Sequence, residues 1–323
     1  MRQGLKRIGN QLRCLGSYAL SMTGRQVVRH MPTFVSVEPA NFCQLRCPQC
    51  PVGMRGNEVT GERAKGVMPM DTFKRILEQI APYAHTLQLF WQGEPLLCDT
   101  LPEMVRMAHE AGLYTIVSTN AQRLDEAMAR ALTAAGLNRI IISMDGWTQS
   151  SYEQYRQGGS VDKVKDSIRT LRKVKDQTRA CTIIELQCLY LRSNEHEWDL
   201  FRREYKTLGA DRLTMKTAQF YDYEQGSPLM PSDSRYARYR RDAQGRYAVK
   251  HPLVNRCYRL WSGCVIDIHG DVMPCCYDKS KQHVLGNILR QPLRTIWQGE
   301  QAQAFRRAVL TRRAAIEMCT NCE

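Results

Sequence analysis

Apolar positions along this chain alternate between a strand-like and a helical period. Thr33-Phe34-Val35-Ser36-Val37 reads as a strand. Phe73, Ile76, Leu77 and Ile80 share one face of a helix that Asp71 can cap, and Leu87-Gln88-Leu89-Phe90-Trp91 follows as a second strand. The alternation recurs as helix 100–111 closed by Gly112, strand 113–118, helix 124–135 closed by Gly136, and strand 138–143. Helices near 151–156 and 161–176 lead to strand 182–190. Helix 195–208, with Trp198, Phe201, Tyr205 and Leu208 on one face, is closed by Gly209 before strand 211–216. Glycine at a helix end suits the left-handed cap. Strands separated by helical stretches of about 15 residues imply parallel βαβ units. Six such units form a partial (β/α)6 barrel or a doubly wound sheet, and the period alone does not choose between them. In either, ligands gather at the carboxyl ends of the strands.

The flanks differ. In residues 1–31, Leu5, Ile8, Leu12 and Leu15 recur at helical spacing beside Arg2, Lys6, Arg7, Arg13, Arg25 and Arg29, with no acid. This predicts an amphipathic helix docked on the body; contact with a surface or partner, or an organelle-targeting role, are the alternatives. A secretory signal would need a longer apolar stretch than Ser17-Tyr18-Ala19-Leu20-Ser21-Met22. Residues 51–70, rich in Gly and charge, read as a long loop over the site. Residues 218–256 read as a linker with some helix, including the run Arg235-Tyr236-Ala237-Arg238-Tyr239-Arg240-Arg241. An exposed helix face is the plain reading of that run, and base stacking by interleaved Arg and Tyr is the other. From Cys257 onward the repeat stops. Val265-Ile266-Asp267-Ile268 and Asp271-Val272-Met273 read as a hairpin with a two-residue turn, His269-Gly270, followed by a helix around 291–309. This module is too small to fold without a staple, which a metal would supply. The expected divisions are thus 1–31, 32–217, 218–256 and 257–323.

With 323 residues and 43% hydrophobic content, the chain can bury a sizeable core. It has no apolar run of about 18 residues, so no helix is expected to span a membrane. Nine of the thirteen cysteines group at 43/47/50, 257/264, 275/276 and 319/322. Such grouping without an export signal points to metal ligation in a reducing, cytoplasmic compartment rather than to disulfides. The formal charge of +14 favours acidic partners or substrates, with solvated Lys/Arg-rich helices as the plain alternative.

Cys43-Gln44-Leu45-Arg46-Cys47-Pro48-Gln49-Cys50 places three cysteines after the first strand. Structural zinc takes four ligands, so a local trio needs a distant fourth or belongs to a centre with one open position. Gln92-Gly93-Glu94-Pro95 ends the second strand, Ser118-Thr119-Asn120 the third and Ser143-Met144-Asp145-Gly146 the fourth; Tyr155-Arg156-Gln157-Gly158-Gly159 follows. Taken singly these are ordinary turns and caps. Together they resemble the radical S-adenosylmethionine (SAM) superfamily, whose C-x3-C-x2-C signature carries a 4Fe-4S cluster with one iron left for SAM. The resemblance implies the partial (β/α)6, TIM-like barrel, with Cys43, Cys47 and Cys50 as cluster ligands. It implies SAM contacts from Gly93, Glu94, Asn120, Ser143, Asp145 and Arg156. Glu94 would meet the ammonium group of SAM and Arg156 its carboxylate.

Cys257, the segment Ile268 to Cys275, Leu285-Gly286-Asn287-Ile288, Ile296-Trp297 and the closing Cys319-Thr320-Asn321-Cys322 resemble the small C-terminal SPASM/twitch iron–sulfur domain of that superfamily. Cys257, Cys275, Cys319 and Cys322 would hold one auxiliary 4Fe-4S cluster; Cys276 could replace Cys275, Cys264 could be a packed thiol, and four cysteines suit zinc equally well. With both clusters ligated the net charge falls to roughly +11. Two departures stand out: Gln49 where the superfamily usually has an aromatic residue, and Gln92 where it has glycine.

The implied activity is reductive cleavage of SAM to a 5′-deoxyadenosyl radical that abstracts a substrate hydrogen. An auxiliary cluster that accepts an electron resembles the dehydrogenating members, so oxidation or modification of a peptide, protein or small molecule is expected. A one-electron donor such as a flavodoxin or ferredoxin would supply the reductant. Lys216, Gln187 and Asp222 are the candidate proton acceptors. Two other readings are a basic zinc- or iron–sulfur-stapled nucleic-acid-binding protein and a radical SAM enzyme acting on RNA.

Overall fold

The computed structural model describes residues 2–53 and 64–322; the expected loop over 51–70 therefore lies outside the described residues between 54 and 63. The βα alternation is present. It runs through β1 (Phe34–Val37), helix Met70–Ile80, β2 (Thr86–Leu89), helix Leu101–Glu110, β3 (Tyr114–Thr119), helix Glu126–Ala134 and β4 (Arg139–Ser143). Helices Gln149–Tyr152 and Val161–Thr178, β5 (Ile183–Tyr190), helix Trp198–Leu208 and β6 (Arg212–Thr217) complete it. Phe73, Ile76, Leu77 and Ile80 are buried as their spacing requires. Asp71 is not the cap: Pro69, with ψ of 139°, holds that position, and Asp71 lies in the first turn, where its charge suits the helix dipole. Gly209, at φ 115°, returns its N–H to Lys206 and Tyr205 as the left-handed cap expected there.

The chain forms two compact units. The first comprises Met1–Phe42, Thr60–Ile116 and Leu253–Cys322. In it β1 pairs in parallel with β2, and β2 with the start of β3. On its other side β1 pairs in parallel with β9 (Gly263–Ile266), which continues antiparallel to β10 (Asp271–Met273) and then β11 (Gly286–Asn287). The strands of the C-terminal segment therefore extend the sheet begun by β1. Trp261 and Trp297 are fully buried there, and the Arg306 guanidinium, 4.2 Å from the Trp297 ring, donates to the carbonyls of Leu260 and Trp297. The hairpin turn is one residue longer than expected. Asp267 N donates to Asp271 O at 3.1 Å, and Asp267 Oδ1 accepts from His269 N and Asp271 N, leaving a three-residue loop that ends in Gly270 at φ 82°. A type I turn followed by a left-handed glycine has this form.

Helix α1 (Arg2–Ser21) also belongs to the first unit, and it docks through its polar face. Asn10 bonds Met31 N and O and Tyr83 O, and Cys14 donates to Trp261 O. Arg7 donates to Ala81 O at 2.9 and 2.7 Å, to Ala111 O at 2.5 Å and to Gly112 O. These carbonyls end helices Met70–Ile80 and Leu101–Glu110, where helical partners run out and the dipole favours a cation. Arg7→Met should lower stability by about 2–3 kcal/mol, read as a lower urea midpoint for the first unit.

The second unit comprises Cys43–Val59 and Val117–Pro252. Here β4, β5 and β6 are parallel, with Ser143 opposite Gln187 and Gln187 opposite Thr214. Parallel strands are usually apolar on both faces. One face fits, with Ile140, Ile142, Ile184, Leu186 and Cys188; the other is partly polar, with Arg139, Ser143, Glu185, Gln187, Thr214 and Lys216 among Ile141, Ile183 and Leu189. Such polar positions in a parallel sheet can receive a ligand.

Residues 218–252 correct the expectation of a linker with some helix. Ser234–Tyr236 is a single 3-10 turn, and the Arg/Tyr run then enters β7 (Tyr239–Arg241), which pairs antiparallel with β8 (Tyr247–Val249). Asp242 Oδ1 accepts from Gln244 N and Arg246 N to close the hairpin. Tyr239 is buried, receives Phe220 N at 2.9 Å on its hydroxyl and stacks on Tyr223. The run has no helical apolar stripe beyond Tyr236 and Tyr239, so burial of Tyr239 decides its conformation.

Candidate functional site

In the second unit, the cysteine loop folds tightly on itself. Cys50 N donates to Cys47 O, Gly53 N to Cys50 O and Arg46 N to Gln157 O. A Cβ at Gly53 would lie 2.7 Å from Cys47 O and 2.8 Å from Cys47 N, so only glycine permits this winding. Cys43 and Cys50 are half-buried and Cys47 is buried. Asn120 Nδ2 donates to Cys43 Sγ at 3.5 Å while Asn120 Oδ1 accepts from Gln44 Nε2 and Gln122 N. Burial pushes the Cys47 thiol up to about 11, opposed by Arg156, which also hydrogen-bonds it.

Asp145 is the hub behind this loop. Fully buried, it accepts from Arg156 Nε at 2.5 Å and from Leu189 N at 2.7 Å, and its carbonyl receives Asn194 Nδ2. Burial works against the Arg156 charge, but Asp145 and Cys47 outweigh it and hold its pKa well above the ordinary value. Ser143 is buried at the end of β4, level with Gln187, whose Oε1 is buried and has no hydrogen-bond partner among the described residues. Lys216 shares that polar face near the end of β6, and Asp222 lies beyond the strand in an exposed turn.

Gln49, in place of an aromatic residue, accepts from Tyr221 N at 3.0 Å and ties residues 218–222 to the cysteine loop. Leu45, Cys47 and Tyr155 pack in one apolar cluster with Leu191, Ala218, Phe220, Met230 and Tyr239. Ala218, Phe220, Met230 and Tyr239 also line a cavity of about 560 Å³, together with buried Arg238 and the more exposed Arg192, Arg240, Arg241 and Lys250. Sequence reasoning missed this basic cavity, as well as Gly53 and Asn194. The three-residue spacing from Cys50 to Gly53 is the one local signal among them.

The first unit holds the other expected residues. Glu94 N donates to the carbonyl of Phe42, the residue before Cys43, and a Cβ at Gly93 would lie 2.1 Å from Ala40 O. Glu94 is buried and its Oε1 accepts from Leu96 N at 3.1 Å. Gln92, in place of glycine, donates to Lys279 O at 2.9 Å.

The C-terminal cysteines converge on two guanidiniums. Arg313 is influenced by Cys322, Cys257 and Cys319, and Arg259 by Cys276, Cys275 and Cys257. Arg259 Nη1 donates to Cys276 Sγ at 3.4 Å. The hydrogen bond between Cys275 and Cys276 raises the Cys275 thiol and, with Lys279 and Arg259 nearby, lowers that of Cys276. Cys264 is buried within β9, and burial raises its thiol to about 12, the environment of a packed side chain.

None of the thirteen cysteines is in a disulfide. Among the described residues, no three His, Cys, Asp or Glu side chains stand close enough to share a single metal ion. The donor sets fit iron–sulfur clusters, which are wider than one ion. Three thiols on one glycine-wound loop, steadied by Asn120 and Arg156, make one set, and thiols gathered round Arg259 and Arg313 make the other.

Two family matches cover much of the chain. Residues 37–185 match the radical SAM superfamily, and residues 257–323 match SPASM, an iron-sulfur cluster-binding domain. The chain is 30% identical to the PqqA peptide cyclase of Rhodopseudomonas palustris over 62% of its own length, a match that spans only 52% of that relative. It is 22% identical to the S-adenosyl-L-methionine-dependent 2-deoxy-scyllo-inosamine dehydrogenase of Niallia circulans, covering 90% of this chain and 92% of the other. Among solved structures, SuiB of Streptococcus suis bound to S-adenosylmethionine aligns with a TM-score of 0.66 at 14% identity, covering 91% of this chain and 72% of that one. At that identity the likeness speaks for the fold, parallel α/β with a C-terminal extension.

Proposed function

The chain belongs to the radical SAM superfamily and carries its SPASM-type iron–sulfur extension, and from that membership we propose a reductive SAM-cleaving enzyme that acts on a peptide rich in acidic side chains. Cys43, Cys47 and Cys50 hold the SAM-binding cluster; Cys257, Cys319, Cys322 and either Cys275 or Cys276 hold the auxiliary one. When bound, the first cluster and SAM together supply the electron transfer and carbon–sulfur cleavage that yield methionine and a 5′-deoxyadenosyl radical able to take a substrate hydrogen.

This chain's own residues position and insulate. Asn120 fixes Cys43, and Arg156 offsets the charge at Cys47. Asp145 takes Nε of Arg156 and Cys47 takes a further hydrogen bond from it, leaving the remaining guanidinium donors for the SAM carboxylate. The Glu94 carboxylate, on a backbone that glycine 93 lets approach Phe42, takes the SAM ammonium. Ser143 and Gln187 offer hydrogen bonds from the polar face of β4 and β5; an amide is not a base at neutral pH, so the proton of a two-electron oxidation goes to the Asp222 carboxylate or to Lys216 as a neutral amine. The electron donor is a flavodoxin- or ferredoxin-type protein. Cytoplasmic residence follows from the need for reduced thiols, and among the described residues no helix is long and apolar enough to cross a membrane.

The observation that carries the choice of substrate is the basic cavity lined in part by the apolar cluster enclosing Cys47. The reading is supported by a relative that cyclises the peptide PqqA and by the structural neighbour SuiB with its precursor peptide SuiA. Arg240 and Arg241 are exposed on β7, so they can meet carboxylates without prior desolvation. Reduced, reconstituted protein given SAM and a library of peptides should form 5′-deoxyadenosine fastest with acidic ones. Arg240→Glu with Arg241→Glu should raise KM for these roughly tenfold or more while substrate-free SAM cleavage persists. Equal turnover of neutral and acidic peptides, or turnover only with RNA, refutes the assignment.

A further inference from the structure

Helix α1 is mounted with its polarity reversed. Its buried side chains are Arg7, Asn10, Cys14, Ser17 and Ser21, whereas Leu5, Ile8, Leu12 and Leu15 are 66, 55, 64 and 47% exposed. These four recur at i, i+3, i+7 and i+10, so they form one stripe along a helix roughly 30 Å long. A docked amphipathic helix normally buries such a stripe. Here docking is achieved by hydrogen bonds from the opposite face, and a Cβ at Gly4 or Gly16 would meet nothing within 4 Å.

Charge identifies what covers the stripe. Lys6 and Arg13 are exposed on the flank between the stripe and the docked face, Arg25 and Arg29 are exposed just beyond the helix, and residues 1–31 contain no acid. The stripe's spacing would also suit a two-helix seam with a second copy. Such a seam would gather the cations of two copies of the segment with no carboxylate in it to pair them. An anionic lipid surface meets both features at once: acyl chains take the leucines and isoleucine, and phosphates take the cations while their stems lie on the boundary. We infer that α1 is an interfacial helix that seats this enzyme on an anionic membrane surface through Leu5, Ile8, Leu12 and Leu15, without crossing the bilayer. The polar docking contacts are what free the stripe for this use, since Arg7 and Asn10 hold α1 rigidly while asking nothing of its apolar side.

The test is flotation of the full-length, reconstituted protein with vesicles of phosphatidylcholine alone or mixed with phosphatidylglycerol. Binding should require phosphatidylglycerol and weaken with salt, each exposed cation contributing about fivefold. Ile8→Glu with Leu12→Glu should reduce partitioning roughly a hundredfold, and Gly16→Leu, pointing into open space at the stripe's edge, should raise it about tenfold. None of these residues joins the docking contacts, so unchanged melting temperatures and iron content verify that the variants fold. Absence of flotation with either vesicle overturns the inference, as does binding indifferent to all three substitutions. A concentration-dependent dimer abolished by Ile8→Glu with Leu12→Glu also overturns it and assigns the stripe to a second copy.

Discussion

Cys47→Ala is expected to abolish SAM cleavage while leaving about four of the roughly eight irons bound per chain. Cys47 is the most enclosed of its trio, packed among Leu45, Tyr155, Phe220 and Tyr239 and hydrogen-bonded by Arg156. Removing one thiol from three leaves a two-legged site that cannot retain a four-iron cluster. The auxiliary thiols belong to the other compact unit and depend on Arg259 and Arg313, so their iron should survive. Iron and sulfide analysis after anaerobic reconstitution, with 5′-deoxyadenosine by chromatography, reads both halves. Persistent cleavage would show that the trio is not the SAM site, and loss of all iron would show that the two sites are not independent.

Arg156→Met is expected to destabilise the second unit by about 3–5 kcal/mol and to eliminate SAM cleavage. The cause lies in Asp145, which is 1% exposed and would keep its charge with one partner, Leu189 N, in place of two. Losing half of a buried pair is far more harmful than losing both halves. Asp145→Asn added to Arg156→Met should therefore recover most of the stability, because the amide oxygen can still accept from Leu189 N. Activity should not return with it if Arg156 also meets the cofactor. Urea unfolding of the two variants, each paired with a SAM cleavage assay, separates these roles. Recovery of both stability and cleavage in the double variant would reduce Arg156 to a structural role.

Local patterns were legible and long-range ones were not. Phe73, Ile76, Leu77 and Ile80 specify a helix within eleven residues, and the cysteine trio marks a candidate metal loop within eight, because each signal is contained in the element it describes. Amphipathicity in α1 says that its two faces differ but not which one docks. That choice rests on Arg7 meeting carbonyls at 81, 111 and 112, which no window around residue 7 contains. The same holds for residues 218–252, whose conformation follows from Tyr239 reaching Phe220, and for the basic cavity, which gathers Arg192 with Arg240, Arg241 and Lys250. Pairing of β9 with β1 has no local mark at all, so the C-terminal segment looked separate. The extra residue in the hairpin turn was hidden because His269-Gly270 suits a two-residue turn as well as a longer one.

The β1–β9 pairing also bears on how the protein is made. Thr33 accompanies Ser262 at the head of this ladder, 229 positions away in sequence. At ribosomal rates of about 5–20 residues per second, roughly 10–45 s pass between synthesis of the two strands. During that interval β1 can acquire β2 but presents its other hydrogen-bonding edge to the cell, next to a nascent loop carrying three reactive thiols. Parallel ladders closed over such distances form slowly. Chaperone binding and cluster delivery would therefore compete for the same short-lived intermediate, and the yield of active enzyme should depend on translation speed across residues 34 to 263.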